Sequence, residues 1–220
     1  MRQRGLIQNR CLLAIVAGLI MLTGCSAVSG SGQVASETRQ VSGFTGIDLS
    51  GVGEVIIEQG ESESLTIEAD DNVLPVLTSE VEDAVLRLGR KPRTTVTTRN
   101  PIRFRVTLKD LNSIALSGSG SVSAENLRVD ALRVDVSGSG TTNLAGSADE
   151  ERIAMSGSGR YDAAGLSSRS VEVDISGSGT AAVAVSEQLR VDISGSGTVT
   201  YSGDPRIDQS VSGSGRLIKQ

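Results

Sequence analysis

The chain contains no histidine and no tryptophan, and its 220 residues include only two tyrosines, two phenylalanines, four prolines and two cysteines. Without histidine there is no imidazole to activate a serine nucleophile or to ligate a metal. So few aromatic rings argue against a carbohydrate-cleft enzyme, and the composition does not fit a helical protein. Cys11 lies inside an apolar N-terminal stretch, so removal of that stretch leaves Cys25 alone, and with Cys25 taken up by the lipid anchor described below no thiol remains for a disulfide, a metal or catalysis. Net positive charge is absent too. The formal charge is −5, and loss of Arg2, Arg4 and Arg10 with the N-terminal segment takes it to −8. Nucleic acid is not a partner that such a chain attracts.

What is present begins with a secretory pattern. The three arginines precede the apolar run Cys11 to Leu22, which is too short to span a bilayer comfortably. Leu22-Thr23-Gly24-Cys25 then resembles the lipobox of bacterial lipoproteins, which predicts a signal over residues 1–24 and lipidation at Cys25. Ser26 stands where an aspartate would favour inner-membrane retention, so the expected address is the outer membrane of a bacterial envelope. Residues 25–42 are small and polar without periodicity, and are expected to form a lipidated cysteine followed by a flexible tether.

The strongest pattern is a repeat. Ser-Gly-Ser-Gly occurs six times, beginning at Ser117, Ser137, Ser156, Ser176, Ser194 and Ser212, at intervals of 20, 19, 20, 18 and 18 residues. A unit this short cannot bury an apolar face alone and must stack on its neighbours. The residues three and one before each motif are Ile114 and Leu116, Val134 and Val136, Ile153 and Met155, Val173 and Ile175, Val191 and Ile193, then Gln209 and Val211. Apolar residues resume at the same parity beyond the motif, so period-2 alternation predicts a bending strand with serines outward and both glycines inward. The expected fold is all-β, a right-handed parallel β-helix with about 18 to 20 residues per coil. Its domain would cover 43–220, with irregular coils over 43–111 and regular repeats over 112–220. Ser50-Gly51-Val52-Gly53 reads as a degenerate copy of the same corner.

Val41-Ser42-Gly43-Phe44, Ile47-Asp48-Leu49-Ser50, Leu65-Thr66-Ile67-Glu68 and Asn72-Val73-Leu74-Pro75, together with the repeat array, resemble the putative auto-transporter adhesin, head GIN domain family. Gly46-Ile47-Asp48 stands in place of a literal Gly-Ile-Asn. The resemblance implies a β-helix in an envelope or secreted protein, often a lipoprotein, and it carries over no catalytic residue.

The residues support no enzyme. The motif serines lack a base, and Gly-Ser-Gly between two strands is not the strand-to-helix turn that cradles phosphate. Asp135, Asp174 and Asp192 recur before the motif, but Arg133, Arg152, Glu172, Arg190 and Asp208 stand two residues upstream. Signs in that second column alternate from Arg152 onward, so surface pairing between coils accounts for the acids better than a metal or a catalytic pair, with Asp174 and Asp192 compensated diagonally by Arg190. The densest basic group, Lys91, Arg93, Arg99, Arg103 and Arg105, reads as a solvated edge with the capacity to meet an anionic glycan or lipid headgroup. No catalytic residue, metal site or cofactor is expected.

What remains is an outward hydroxyl array: Ser117, Ser119, Ser137, Ser139, Ser156, Ser158, Ser176, Ser178, Ser194, Ser196, Ser212 and Ser214. Stacked hydroxyls are expected to exchange hydrogen bonds between coils. The array predicts a docking face for a second copy, an envelope protein or a glycan, in a non-enzymatic, membrane-anchored adhesin or scaffold. The alternatives are an envelope polysaccharide-binding or polysaccharide-processing module, and a self-associating structural solenoid.

Overall fold

A computed structural model describes residues 26–220, so the expected signal and Cys25 lie outside the described residues. The chain forms a β-solenoid of about five turns with roughly 20 residues per turn. Among the described residues the single helical element is the 3-10 turn Leu74–Val76, and no helix is long and apolar enough to cross a membrane.

The repeat sets the stack. Ser113–Gly118 lies in parallel register on the segment ending at Gly138, with Ile114 opposite Val134 and Ser117 opposite Ser137. The same pairing continues through Gly157, Gly177, Gly195 and Gly213. Beneath it, Gly46–Gly51 pairs with Ser113–Gly118 and aligns Ser50 with Ser117. The degenerate motif is therefore the first corner, as its sequence suggests. Inward columns such as Ile47, Ile114, Val134, Ile153, Val173 and Val191 are buried throughout and form one continuous core.

Period-2 parity survives the corner, but the two glycines do different things. The second glycine faces the core, and a Cβ on Gly140 would stand 2.5 Å from Leu116 Cδ2. The first glycine does not point inward as the alternation predicts. Gly138 has φ +105°, and its missing Cβ would lie 2.6 Å from the carbonyl oxygen of Gly118 in the preceding coil. Both the turn and the close approach of stacked backbones require glycine there. Hydrogen bonds between coils cross the corner, Ser139 N–H donating to Gly118 O at 2.9 Å and Thr141 N–H to Gly120 O at 3.1 Å.

Residues 60–112 leave the stack and return to cap it. Val85–Arg90 runs parallel beneath Gly46–Gly51, with Leu77–Glu82 antiparallel at its outer edge. On another side Arg103–Leu108 lies parallel to Glu54–Gln59, and Ser64–Asp70 closes antiparallel on it. The stretch read as a flexible tether is folded instead. Ser26–Ser29 pairs in parallel with Thr94–Thr97, and Val34–Arg39 pairs antiparallel with the Ser64–Asp70 strand. Its side chains alternate too weakly to announce a strand, and the backbone ladder supplies the ordering.

Candidate functional site

Stacking converts each repeat position into a column. Ser50, Ser117, Ser137, Ser156, Ser176, Ser194 and Ser212 stand opposite one another in successive coils. The second-serine column Ser119, Ser139, Ser158, Ser178, Ser196 and Ser214 occupies the bends. Of the twelve motif serines, Ser117 is half-buried and the other eleven are exposed.

The expected exchange of hydroxyl hydrogen bonds between coils is found once among the described residues, from Ser117 Oγ to Ser50 Oγ at 3.4 Å. The reason is spacing. Neighbouring strands lie about 4.8 Å apart, beyond hydrogen-bond reach for side chains that project in parallel. The serine hydroxyls are consequently left for solvent or a partner.

A shallow groove of about 480 Å³ follows the first-serine column, where Ser137, Ser156, Ser176 and Ser194 alternate with Asp135, Asp174 and Asp192 from the adjacent outward column. Charge pairing beside it follows the predicted alternation in part. Glu172 lies 3.6 Å from both Arg152 and Arg190, and Arg133 holds Asp135 at 2.7 Å. Arg190 reaches Asp192 at 3.8 Å but makes no ion pair with Asp174 among the described residues. Partial burial, then the nearby charges of Glu172 and Asp192, raise the Asp174 carboxyl above its ordinary 3.8, with Arg190 opposing them. No group of three or more acidic, cysteine or histidine side chains among the described residues could hold a metal. The groove therefore offers hydroxyl donors and acceptors beside a few carboxylates, with no nucleophile–base pair.

The predicted basic group separates into parts. Arg103 pairs with Glu54 at 3.1 Å and Arg105 with Glu68 at 3.6 Å, which neutralises two of its members. The backbone N–H of Arg99 donates to Asp70 at 3.0 Å. Lys91 and Arg93 stand apart on an exposed turn.

One polar group escaped the sequence reading. Glu151 is 1% exposed and lies in register with Leu132 and Val171, in the core. Tyr161 Oη donates to its carboxylate at 2.7 Å, and Ser168 Oγ donates to the other carboxylate oxygen. Burial raises its carboxyl above 4.5 despite those two hydrogen bonds. The available signal was its column, which is apolar in the flanking coils. Glu151 is enclosed and takes no part in the surface groove.

A family profile described as putative auto-transporter adhesin, head GIN domain, matches residues 43–205. The fold recurs in a crystal structure of a putative adhesin from Bacteroides fragilis, with 23% identity and TM-score 0.74, covering 88% of this chain and 100% of that one. A putative lipid binding protein from Parabacteroides distasonis matches at 20% identity and TM-score 0.60, covering 89% of this chain and 100% of that one. A putative adhesin from Parabacteroides merdae matches at 24% identity and TM-score 0.53, covering 89% and 99% respectively. No curated protein matches the sequence.

Proposed function

The chain belongs to the putative auto-transporter adhesin, head GIN domain family, and from that premise we propose that it is a non-enzymatic, lipid-anchored envelope protein that docks partners on its serine face. The observation that carries this reading is the in-register column of exposed serines, whose hydroxyls the fold leaves almost entirely unspent. A buried polar group is paired within a protein as a rule, whereas exposed hydroxyls bond to water, and a ligand with hydroxyls or amides at matching spacing can take the place of that water. The groove along the column favours an extended glycan of the envelope as occupant, because its volume is that of a small-ligand cleft and its lining sets serine hydroxyls and the carboxylates of Asp135, Asp174 and Asp192 beside the apolar atoms of Val136, Met155, Ile175 and Ile193, a mixture that matches the hydroxyl and C–H faces of a sugar. Arg133 pairs with Asp135 and Arg190 with Asp192, which leaves Asp174 as the one groove carboxylate without an ion pair among the described residues, whereas glycoside hydrolysis uses two free carboxyl groups, and this supports binding without hydrolysis.

The test replaces Ser137, Ser176 and Ser212 by lysine, with Asn143→Lys on another face as control. Binding to arrayed envelope glycans, and mass in solution by light scattering, are measured for each. The serine-face variant should lose binding while the control keeps it; equal behaviour of both would remove the docking face.

The anchor is a separate part of the proposal, supported by Leu22-Thr23-Gly24-Cys25. Several buried methylenes at roughly 0.8 kcal/mol each, on more than one acyl chain, hold such a protein stably at a bilayer. Ser26 favours the outer membrane. Cys25→Ser should move the protein from the membrane fraction to the soluble one after a high-salt wash, and unchanged fractionation would refute lipidation.

A further inference from the structure

Ser26, where the described chain begins, is fixed to the domain. Its N–H donates to Arg93 O at 3.0 Å, and Ser26–Ser29 runs beside Thr94–Thr97 with Ser26 opposite Thr94. The following residues are pinned as well. Gly30 N–H donates to Thr97 O at 2.8 Å, and the Asn72 side-chain amide donates to Ser29 O at 2.8 Å. In sequence, Cys25 is joined to this pinned nitrogen by a single peptide bond. Whatever Cys25 carries must therefore leave the fold beside the turn Lys91 to Arg93.

That turn is exposed and basic. Lys91, Pro92 and Arg93 all face solvent, and neither Lys91 nor Arg93 makes an ion pair among the described residues, in contrast to Arg103 and Arg105. Arg90 braces the turn by donating from Nε to Thr94 O at 2.8 Å. Arg87, Arg90, Lys91 and Arg93 line one cleft of about 810 Å³, together with the acids Asp48 and Glu80. Arg87 is paired with Glu82 at 2.8 Å, so the unspent positive charge belongs to the turn itself.

We propose that this turn is a headgroup-docking surface, on which Lys91 and Arg93, braced by Arg90, lie against the phosphates of an anionic bilayer where the chain emerges toward its anchor. The inference rests on the lipid-anchor reading above. The charge pattern fits it: the chain as a whole is acidic, so an anionic surface attracts this turn and repels the bulk of the domain. Acyl chains at residue 25 and cations on the turn that leads into the adjacent strand give two points of attachment, and these orient the stack instead of letting it swing on a leash. A flexible tether would have separated the two and left the turn without that role.

The test uses the domain from Ser26 onward, which contains the whole core from Phe44 to Tyr201 and carries no acyl chain. Its co-sedimentation is measured with vesicles of phosphatidylcholine alone and with 30% phosphatidylglycerol, at low and at high salt. The domain should bind the phosphatidylglycerol vesicles only, and salt should abolish binding. Each basic residue at an anionic surface is worth roughly a factor of five, so Lys91→Glu with Arg93→Asn should weaken binding by at least about twentyfold. Asparagine tolerates the left-handed φ of +60° at Arg93, and circular dichroism checks the fold. Equal binding by the variant, no binding at low salt, or retention on dextran sulfate without vesicle binding would each overturn the proposal, the last in favour of an anionic glycan. Failure of Cys25→Ser to change fractionation would strike the anchor alone, because vesicle binding by the unacylated domain does not depend on it.

Discussion

Alanine placed at successive positions of one repeat should produce a graded loss of stability that no flexible-linker account of Ser-Gly-Ser-Gly would produce. At Gly138 the new side chain meets two costs. The φ of +105° is strained for an L-residue, at about 1–3 kcal/mol. The Cβ would also sit 2.6 Å from Gly118 O and 3.2 Å from Gly118 N. These are backbone atoms and yield only if the two coils part, which stretches the hydrogen bonds between them from Ser139 N–H to Gly118 O at 2.9 Å and from Thr141 N–H to Gly120 O at 3.1 Å. Each contributes about 1 kcal/mol, so Gly138→Ala should cost about 3–5 kcal/mol, a large part of the stability of an ordinary domain. At Gly140 the Cβ meets Leu116 Cδ2 at 2.5 Å and Cγ at 2.8 Å, a side chain that can shift, so the cost is that of overpacking, about 1–3 kcal/mol. Ser137 is exposed, and its replacement by alanine should stay within about 0.5 kcal/mol. Urea unfolding followed by circular dichroism measures all three. Equal midpoints for Gly138→Ala and Ser137→Ala would refute the stacked-corner argument.

Glu151 gives a pH prediction whose sign is unusual for a carboxylate. Its folded-state pKa is raised above 4.5, chiefly by burial, so its contribution favours folding below 4.5 and is lost as pH rises through the raised value. Wild type should lose melting temperature relative to Glu151→Gln between pH 4 and 8, and a difference independent of pH would rule this out. Glu151→Leu should not rescue stability, because it leaves the hydroxyls of Tyr161 and Ser168 buried without their acceptor. Arg152→Ala, which removes one exposed neighbour of Glu172, should cost at most about 1 kcal/mol and less at high salt; a larger, salt-independent loss would show a structural role that the exposed geometry does not provide.

The repeat was legible because its information is local and redundant: each motif carries its own apolar pair, and parity assigns inside and outside. The cap was less legible because its partners are remote. Val34–Arg39 pairs with a strand some thirty residues on, in an antiparallel ladder that leaves Val34 61% exposed, so its sequence has little apolar pattern to display. Glu151 was hidden for a related reason. It closes the acidic run Asp149-Glu150-Glu151, which looks like a solvated bend until the register with Leu132 and Val171 turns it inward. The serine face was legible in position but not in hydrogen bonding, since the spacing of coils exceeds the reach between short serine hydroxyls that project in parallel.

The two ends of the stack differ in how readily a second copy could add to them. At one end antiparallel strands cover the coils, whereas Arg206–Gly213 and Arg216–Lys219 finish the other with Ile207 40% and Val211 42% exposed. An open edge of this kind is a template for another chain unless polar side chains blunt it. Gln209 replaces the apolar residue found at Val191, and Lys219 shares the inward column of Tyr201 while pairing with Asp204. A second copy seated on this edge would bury both without new partners, at a cost comparable to the apolar area gained. Both side chains therefore oppose end-to-end growth, as the proposed docking on the serine face requires. Gln209→Val combined with Lys219→Leu should release that restraint, and light scattering across a wide concentration range should then show oligomers that wild type does not form. Identical masses for the two proteins, or end-to-end oligomers already present in wild type, would show that these two side chains are not what closes the edge.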